Sequence, residues 1–113
     1  MLRDSFYTIL QSNQDVYTIR FNASHPIFSG HFPEHPIVPG ACVVQIAEEL
    51  AALTYEQPIR FTSIRDLKFR QPITPNQEII ISIKKITESV YKVQCIDPKQ
   101  ESQLIISLNI TII

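Results

Sequence analysis

Glycine is nearly absent from this chain. Only Gly30 and Gly40 occur, and both lie in the stretch 30–40. Backbone geometry that needs glycine is therefore concentrated in one place. Cysteine is also scarce: Cys42 and Cys95 cannot form a disulfide framework, which excludes the disulfide-stapled secreted class and suits a reduced, cytoplasmic protein. An excess of one charge is missing too. A net charge of −1 and a pI near 6.3 leave no electrostatic footprint for nucleic acid. No apolar run approaches the length of a membrane span. The start, Met1-Leu2-Arg3-Asp4, lacks the basic opening and apolar stretch of a signal peptide. The expectation is one domain over 1–113, with no nucleic-acid or membrane partner. Apolar residues make up 44% of the chain, enough for one core.

Most of the chain alternates with period 2. Tyr17, Ile19 and Phe21 point one way, with Thr18 and Arg20 opposite. Leu67 and Phe69 oppose Lys68 and Arg70. Ile79, Ile81 and Ile83 share a face, as do Tyr91, Val93 and Cys95, and Leu104, Ile106, Leu108, Ile110 and Ile112. These read as antiparallel strands with one apolar face. Ser12-Asn13-Gln14-Asp15 and Asp97-Pro98-Lys99-Gln100 read as turns. Pro72 and Pro75 belong at a strand end or bulge, because neither can donate to a ladder.

The exception to the alternation is about 40–55, where alanine, valine, leucine and isoleucine cover most of the helical surface. A helix apolar on nearly all sides is a buried one. Its polar residues, Gln45, Glu48 and Glu49, fall on one stripe. The fold expected is α+β: a curved antiparallel sheet of about six strands wrapped around one central buried helix. Ile80, Ile105 and Ile113 lie on second strand faces, which a dimer would cover.

The helix is preceded by Gly30-His31-Phe32-Pro33-Glu34-His35-Pro36-Ile37-Val38-Pro39-Gly40. A histidine beside a glycine, in a loop stiffened by three prolines, is held in one place. This stretch resembles the active-site loop of the hotdog-fold 3-hydroxyacyl-[acyl-carrier-protein] dehydratases of fatty-acid synthesis, the FabZ/FabA group. That pattern is Gly-His-Phe-Pro, two variable residues, Pro, an aliphatic, a variable residue and Pro-Gly, and every fixed position is met. A second block, Arg65-Asp66-Leu67-Lys68-Phe69-Arg70-Gln71-Pro72-Ile73-Thr74-Pro75, resembles the strand after the helix in that group. Asn76 and Gln77 stand where Gly-Asp is usual. The resemblance runs from about Tyr17 to the end, and the opening helical segment of the group is missing.

The resemblance implies syn elimination of water from a 3-hydroxyacyl thioester carried by acyl carrier protein or CoA, without a cofactor. His31 would take the C2 proton. Backbone N–H groups around Gly40 and Ala41, behind Pro39 at the positive end of the helix, would bind the thioester carbonyl. Phe28 and Phe32 would line an acyl tunnel, or serve as apolar anchors of the loop. In the group an acid then protonates the departing hydroxyl, and histidine and acid come from opposite subunits of a dimer. Here the acid position is Gln45. An amide can hydrogen-bond a hydroxyl but cannot deliver a proton.

Three readings follow from that exchange. Glu48 or Glu49, about a turn away, is one source of an acid. A related partner chain is another, which would make this a half-site or non-catalytic acyl-thioester-binding subunit of a heterodimer. The third is slower chemistry with a Gln45-held water, including thioester hydrolysis. The assembly expected is a homodimer or higher homo-oligomer, or such a heterodimer. Lys68 and Arg70, with Arg60, Arg65, Lys84 and Lys85 nearby in sequence, offer a basic rim for an acidic carrier protein. The spacing of His25, His31 and His35 matches no strong zinc pattern. His25 and His35 read as loop surface residues, and Cys42 as a small core residue.

Overall fold

The computed structural model describes residues 1–30, 34–99 and 103–112. Six strands and two helices follow one another: β1 (Tyr7–Asn13), β2 (Val16–Phe21), α1 (Ile27–Gly30), α2 (Gly40–Tyr55), β3 (Phe61–Phe69), β4 (Glu78–Lys85), β5 (Val90–Asp97) and β6 (Gln103–Ile112). The strands form one antiparallel sheet in the order β1-β2-β4-β5-β6-β3, so β1 and β3 are its edges. This is the hotdog arrangement, with α2 laid against the sheet. No helix among the described residues is long and apolar enough to cross a membrane.

The period-2 pattern builds the core. Tyr17 and Ile19 on β2, Ile79, Ile81 and Ile83 on β4, and Tyr91, Val93 and Cys95 on β5 are all buried. They enclose Val43, Ile46, Ala47, Leu50 and Ala51 of α2 in one cluster. Register keeps these residues on one face: Ile19 pairs with Ile79, and Ile81 with Cys95. Burial pushes the Cys95 thiol up to about 12, so it stays a neutral core atom.

Several expectations are corrected in detail. The α2 helix is covered on one side only within a single chain; Ala41, Gln45 and Leu53 are exposed, because the sheet reaches one face. The β3 strand does not bury an apolar face. Two irregularities, at Phe61/Ser63 and Arg65/Lys68, break its alternation, and Asp66 adopts a positive φ of 55°. Arg70 lies just past the strand end. Lys84 and Lys85 sit on β4, separated from β3 in the sheet by β5 and β6. The first hairpin turn is Gln14-Asp15, with Gln14 at φ 56°, because Ser12 and Asn13 remain paired with Tyr17 and Val16. Pro72 and Pro75 lie in the β3–β4 connection, outside any strand. Ile80 is half-buried on β4; the Ile105 side chain and Ile113 lie outside the described residues.

Asp97 is the one buried charged residue among those described. Its carboxylate accepts the Gln77 Nε2–H at 2.6 Å and the Lys99 N–H at 2.8 Å. It thereby joins the β3–β4 connection to the Pro98-Lys99 turn; Gln100 lies outside the described residues. Asp97→Ala should lower stability by ~1–3 kcal/mol, since it removes two part-buried hydrogen bonds to a charged acceptor. Urea unfolding would measure the shift.

Candidate functional site at the N-terminal end of the α2 helix

His31, Phe32 and Pro33 lie outside the described residues; the structure begins to define the motif again at Glu34. Glu34 and His35 are exposed. Val38 is buried, and its N–H donates to the Ile73 carbonyl at 2.7 Å. That bond ties the loop to the β3–β4 connection. Pro39 then caps α2 in extended geometry (φ −62°, ψ 141°), with no side-chain capping bond. Its carbonyl receives the Cys42 N–H at 3.0 Å. The N–H groups of Gly40 and Ala41 stand outside the helical ladder, at the positive end of a 16-residue helix.

The Phe69 ring lies across Gly40. A Cβ on Gly40 would come within 2.8 Å of Phe69 Cζ. Around this contact is a hollow of about 350 Å³, lined by Ile37, Pro39, Gly40, Phe69, Arg70 and Ile73 among others. Pro39, Gly40 and Arg70 are thus gathered in one place, while Ala41 is exposed beside it. Lys68 is exposed on β3 and does not line the hollow. Gly40→Ala should move the Phe69 ring rather than unfold the chain, because the clash is with the tip of an exposed side chain. We expect a stability change of less than ~1 kcal/mol and altered thioester affinity, checked by thermal melting beside binding of a non-hydrolysable acyl thioether.

Phe28 sits elsewhere. It is buried and stacks on Phe6 with ring centroids 5.4 Å apart, in a cluster that includes Phe21. Its ring packs into the core and does not line the hollow. His25 is not the free surface residue expected: its ring meets Phe6 edge-on at 5.2 Å, and its Nδ1 accepts the Ile27 N–H at 3.2 Å. This bond starts α1, a short helix that the sequence reading treats as loop. Cys42 is half-buried against the core, and burial pushes its thiol up.

Gln45 is exposed on the open side of α2, and its Nε2 donates to Glu49 Oε2 at 3.3 Å. Both neighbouring acids are already engaged. Glu48 Oε2 accepts the Phe61 N–H at 2.9 Å, where β3 begins. Glu49 accepts the Leu2 N–H at 2.7 Å, the Arg3 N–H at 3.0 Å and the Tyr7 hydroxyl at 3.0 Å. Burial, then the Glu49 carboxylate, pushes the Tyr7 phenol well above its ordinary range, so it remains a donor. The chain's N-terminal segment therefore reaches the helix stripe, and nothing in the local sequence signals it. It also walls a larger hollow of about 530 Å³ between Met1, Arg3 and the C-terminal half of α2 near Leu53. Among the described residues, no cluster of histidine, cysteine, aspartate or glutamate is placed to hold a metal.

Comparison with known proteins agrees with the loop. A family profile described as ApeI-like, ApeI dehydratase, matches residues 9–108. A 3-hydroxyacyl-[acyl-carrier-protein] dehydratase FabZ from a Wolbachia of Drosophila simulans is 31% identical over 103 residues, covering 83% of this chain and 71% of that protein. A Brucella ovis FabZ is 32% identical over 83 residues, covering 65% of this chain. The chain spans about half the length of that second relative, 53%. Among solved structures, the dehydratase heterocomplex ApeI:P from Xenorhabdus doucetiae superposes with a TM-score of 0.73 at 20% identity, covering 94% of this chain and 92% of the other. Mouse thioesterase superfamily member 2 superposes with a TM-score of 0.60 at 12% identity, covering 94% and 80%. These last two establish the shared fold.

Proposed function

This chain belongs to the ApeI-like dehydratase family, and on that premise we propose that it converts a 3-hydroxyacyl thioester, on acyl carrier protein or CoA, to the trans-2-enoyl thioester and water. The observation that carries the reading is the hollow where the motif's Ile37–Gly40 end meets the start of α2. A thioester carbonyl there accepts hydrogen bonds from the N–H groups of Gly40 and Ala41. Those bonds strengthen as charge develops on the oxygen. His31 removes the C2 proton. The C3–O bond breaks, and the hydroxyl leaves as water once it gains a proton. Gln45 cannot supply that proton. In a syn elimination the imidazolium of His31 lies on the same face as the leaving hydroxyl, so it can return the proton it took. His31 and Gln45 come from opposite copies of a dimer, with Phe32 and Pro39 beside the acyl group. Arg70, at the hollow, and Lys68, on the adjacent strand, meet the acidic carrier protein. The two free cysteines suit a cytoplasmic setting.

The experiment is turnover of a 3-hydroxyacyl thioester by the purified protein, followed at the enoyl absorbance and with a thiol reagent together. Enoyl product without free thiol supports dehydration. Thiol without enoyl product means that the protein is a hydrolase. A second reading, a subunit completed by a partner chain, is favoured by Gln45 and by the prior engagement of Glu48 and Glu49. The relative from Xenorhabdus is itself a heterocomplex. Activity that appears only on mixing with a related dehydratase chain would establish that arrangement.

A further inference from the structure

We propose that Glu49 is a positioning residue: it turns the Gln45 carboxamide so that its oxygen, Oε1, accepts a hydrogen bond from the substrate's 3-hydroxyl. The inference rests on the dehydratase reading above. Glu49 is held from the core side by Tyr7, whose hydroxyl bonds Oε1 of the glutamate at 3.0 Å, and from the chain start by the N–H groups of Leu2 and Arg3. Tyr7 is fully buried, so the core anchors this side of the frame. One turn earlier, Gln45 gives an N–H to Glu49 Oε2 at 3.3 Å. A carboxylate accepts and does not donate. The reversed amide would set oxygen against oxygen, so Glu49 selects one of the two orientations. The oxygen and nitrogen occupy separate arms of one plane. Giving the N–H to Glu49 therefore turns the Gln45 oxygen to the other side.

The consequence is chemical. A 3-hydroxyl that donates its hydrogen to Gln45 keeps its lone pairs free. Those lone pairs are what must accept the proton that His31 has taken from C2. The C2–H and C3–O bonds break, the C2–C3 double bond forms, water leaves and the imidazole returns to its starting state. Gln45 thus orients the leaving group, where an acid would protonate it.

The test is a double-mutant cycle of Glu49→Gln and Gln45→Ala, with Glu48→Gln as a control. Glu49→Gln keeps an acceptor for the N-terminal segment but adds N–H donors, which removes the preference imposed on Gln45. We expect kcat to fall by about two- to tenfold, the worth of one hydrogen bond, with KM unchanged. In the Gln45→Ala background the same substitution should cost nothing further. Equal losses in both backgrounds would overturn the proposal and make Glu49 act by itself. Side-chain amide NMR gives a readout independent of turnover. One Gln45 carboxamide proton should lie downfield of those of the other glutamines in the wild type, and should move in Glu49→Gln but not in Glu48→Gln. If the wild type makes no enoyl product, the dehydratase reading fails alone, and the spectrum still decides the pairing. A Gln45 amide indistinguishable from a solvated one overturns it, whether or not the variant folds.

Discussion

Gln45→Glu should raise kcat for dehydration by ~10²–10⁴, the usual worth of a positioned general acid. The substitution changes one amide to a carboxyl group at nearly constant shape. Gln45 is exposed on a regular helix, so the change in stability should stay within about 0.5 kcal/mol. The neighbour matters more. The Gln45 nitrogen lies 3.3 Å from Glu49 Oε2, and two carboxylates at that separation resist being ionised together. The introduced carboxyl group therefore holds its proton more readily than an isolated one, as a general acid requires. The rate increase should therefore fade as pH rises and the proton is lost. Steady-state enoyl formation across pH would measure this. An unchanged rate would mean that return of the proton from the His31 imidazolium does not limit turnover.

The second large effect concerns the exposed edge. Among the described strands β3 pairs with β6 alone, yet Ile64, Leu67 and Phe69 are 42%, 43% and 49% exposed. Unprotected apolar edges pair with another chain. The same side of the molecule holds Phe69 above Gly40, so an interface here would also close the hollow. We expect the wild type to sediment as a dimer or larger. Leu67→Glu should weaken the dimer by about 30-fold or more, since losing a buried interface anchor costs ~2 kcal/mol or more. Turnover should fall in parallel with the dimer population. A charged variant that still sediments as a dimer would place the interface elsewhere, and a monomeric wild type would contradict the homodimer.

How much of this was legible in the sequence follows from how local each feature is. The alternation of Tyr17, Ile19, Ile79, Ile81 and Ile83 marks strands without reference to the rest of the chain, and their burial agrees. The Pro39-Gly40 boundary marked the start of α2 to within about a residue. The irregularities in β3 were not legible, because they arise from its pairing with β6. The exposure of Ala41 and Leu53 on α2 was not legible, because the run of apolar residues does not say which face of the helix its own sheet reaches. The engagement of Glu49 was invisible for a different reason. Its partners lie at the chain start, and no periodicity connects residues 2, 3 and 7 to the helix. The strand order, with β6 between β5 and β3, is likewise a property of the assembled sheet.

Deuterium uptake at C2 of the substrate bears most directly on His31. In D2O, with 3-hydroxyacyl thioester and enoyl product interconverting on the enzyme, the wild type should place deuterium at C2, seen as a one-unit mass increase. His31→Ala should retain its fold and place none. Equal uptake by both proteins, or enoyl formation by His31→Ala at the wild-type rate, would contradict the account.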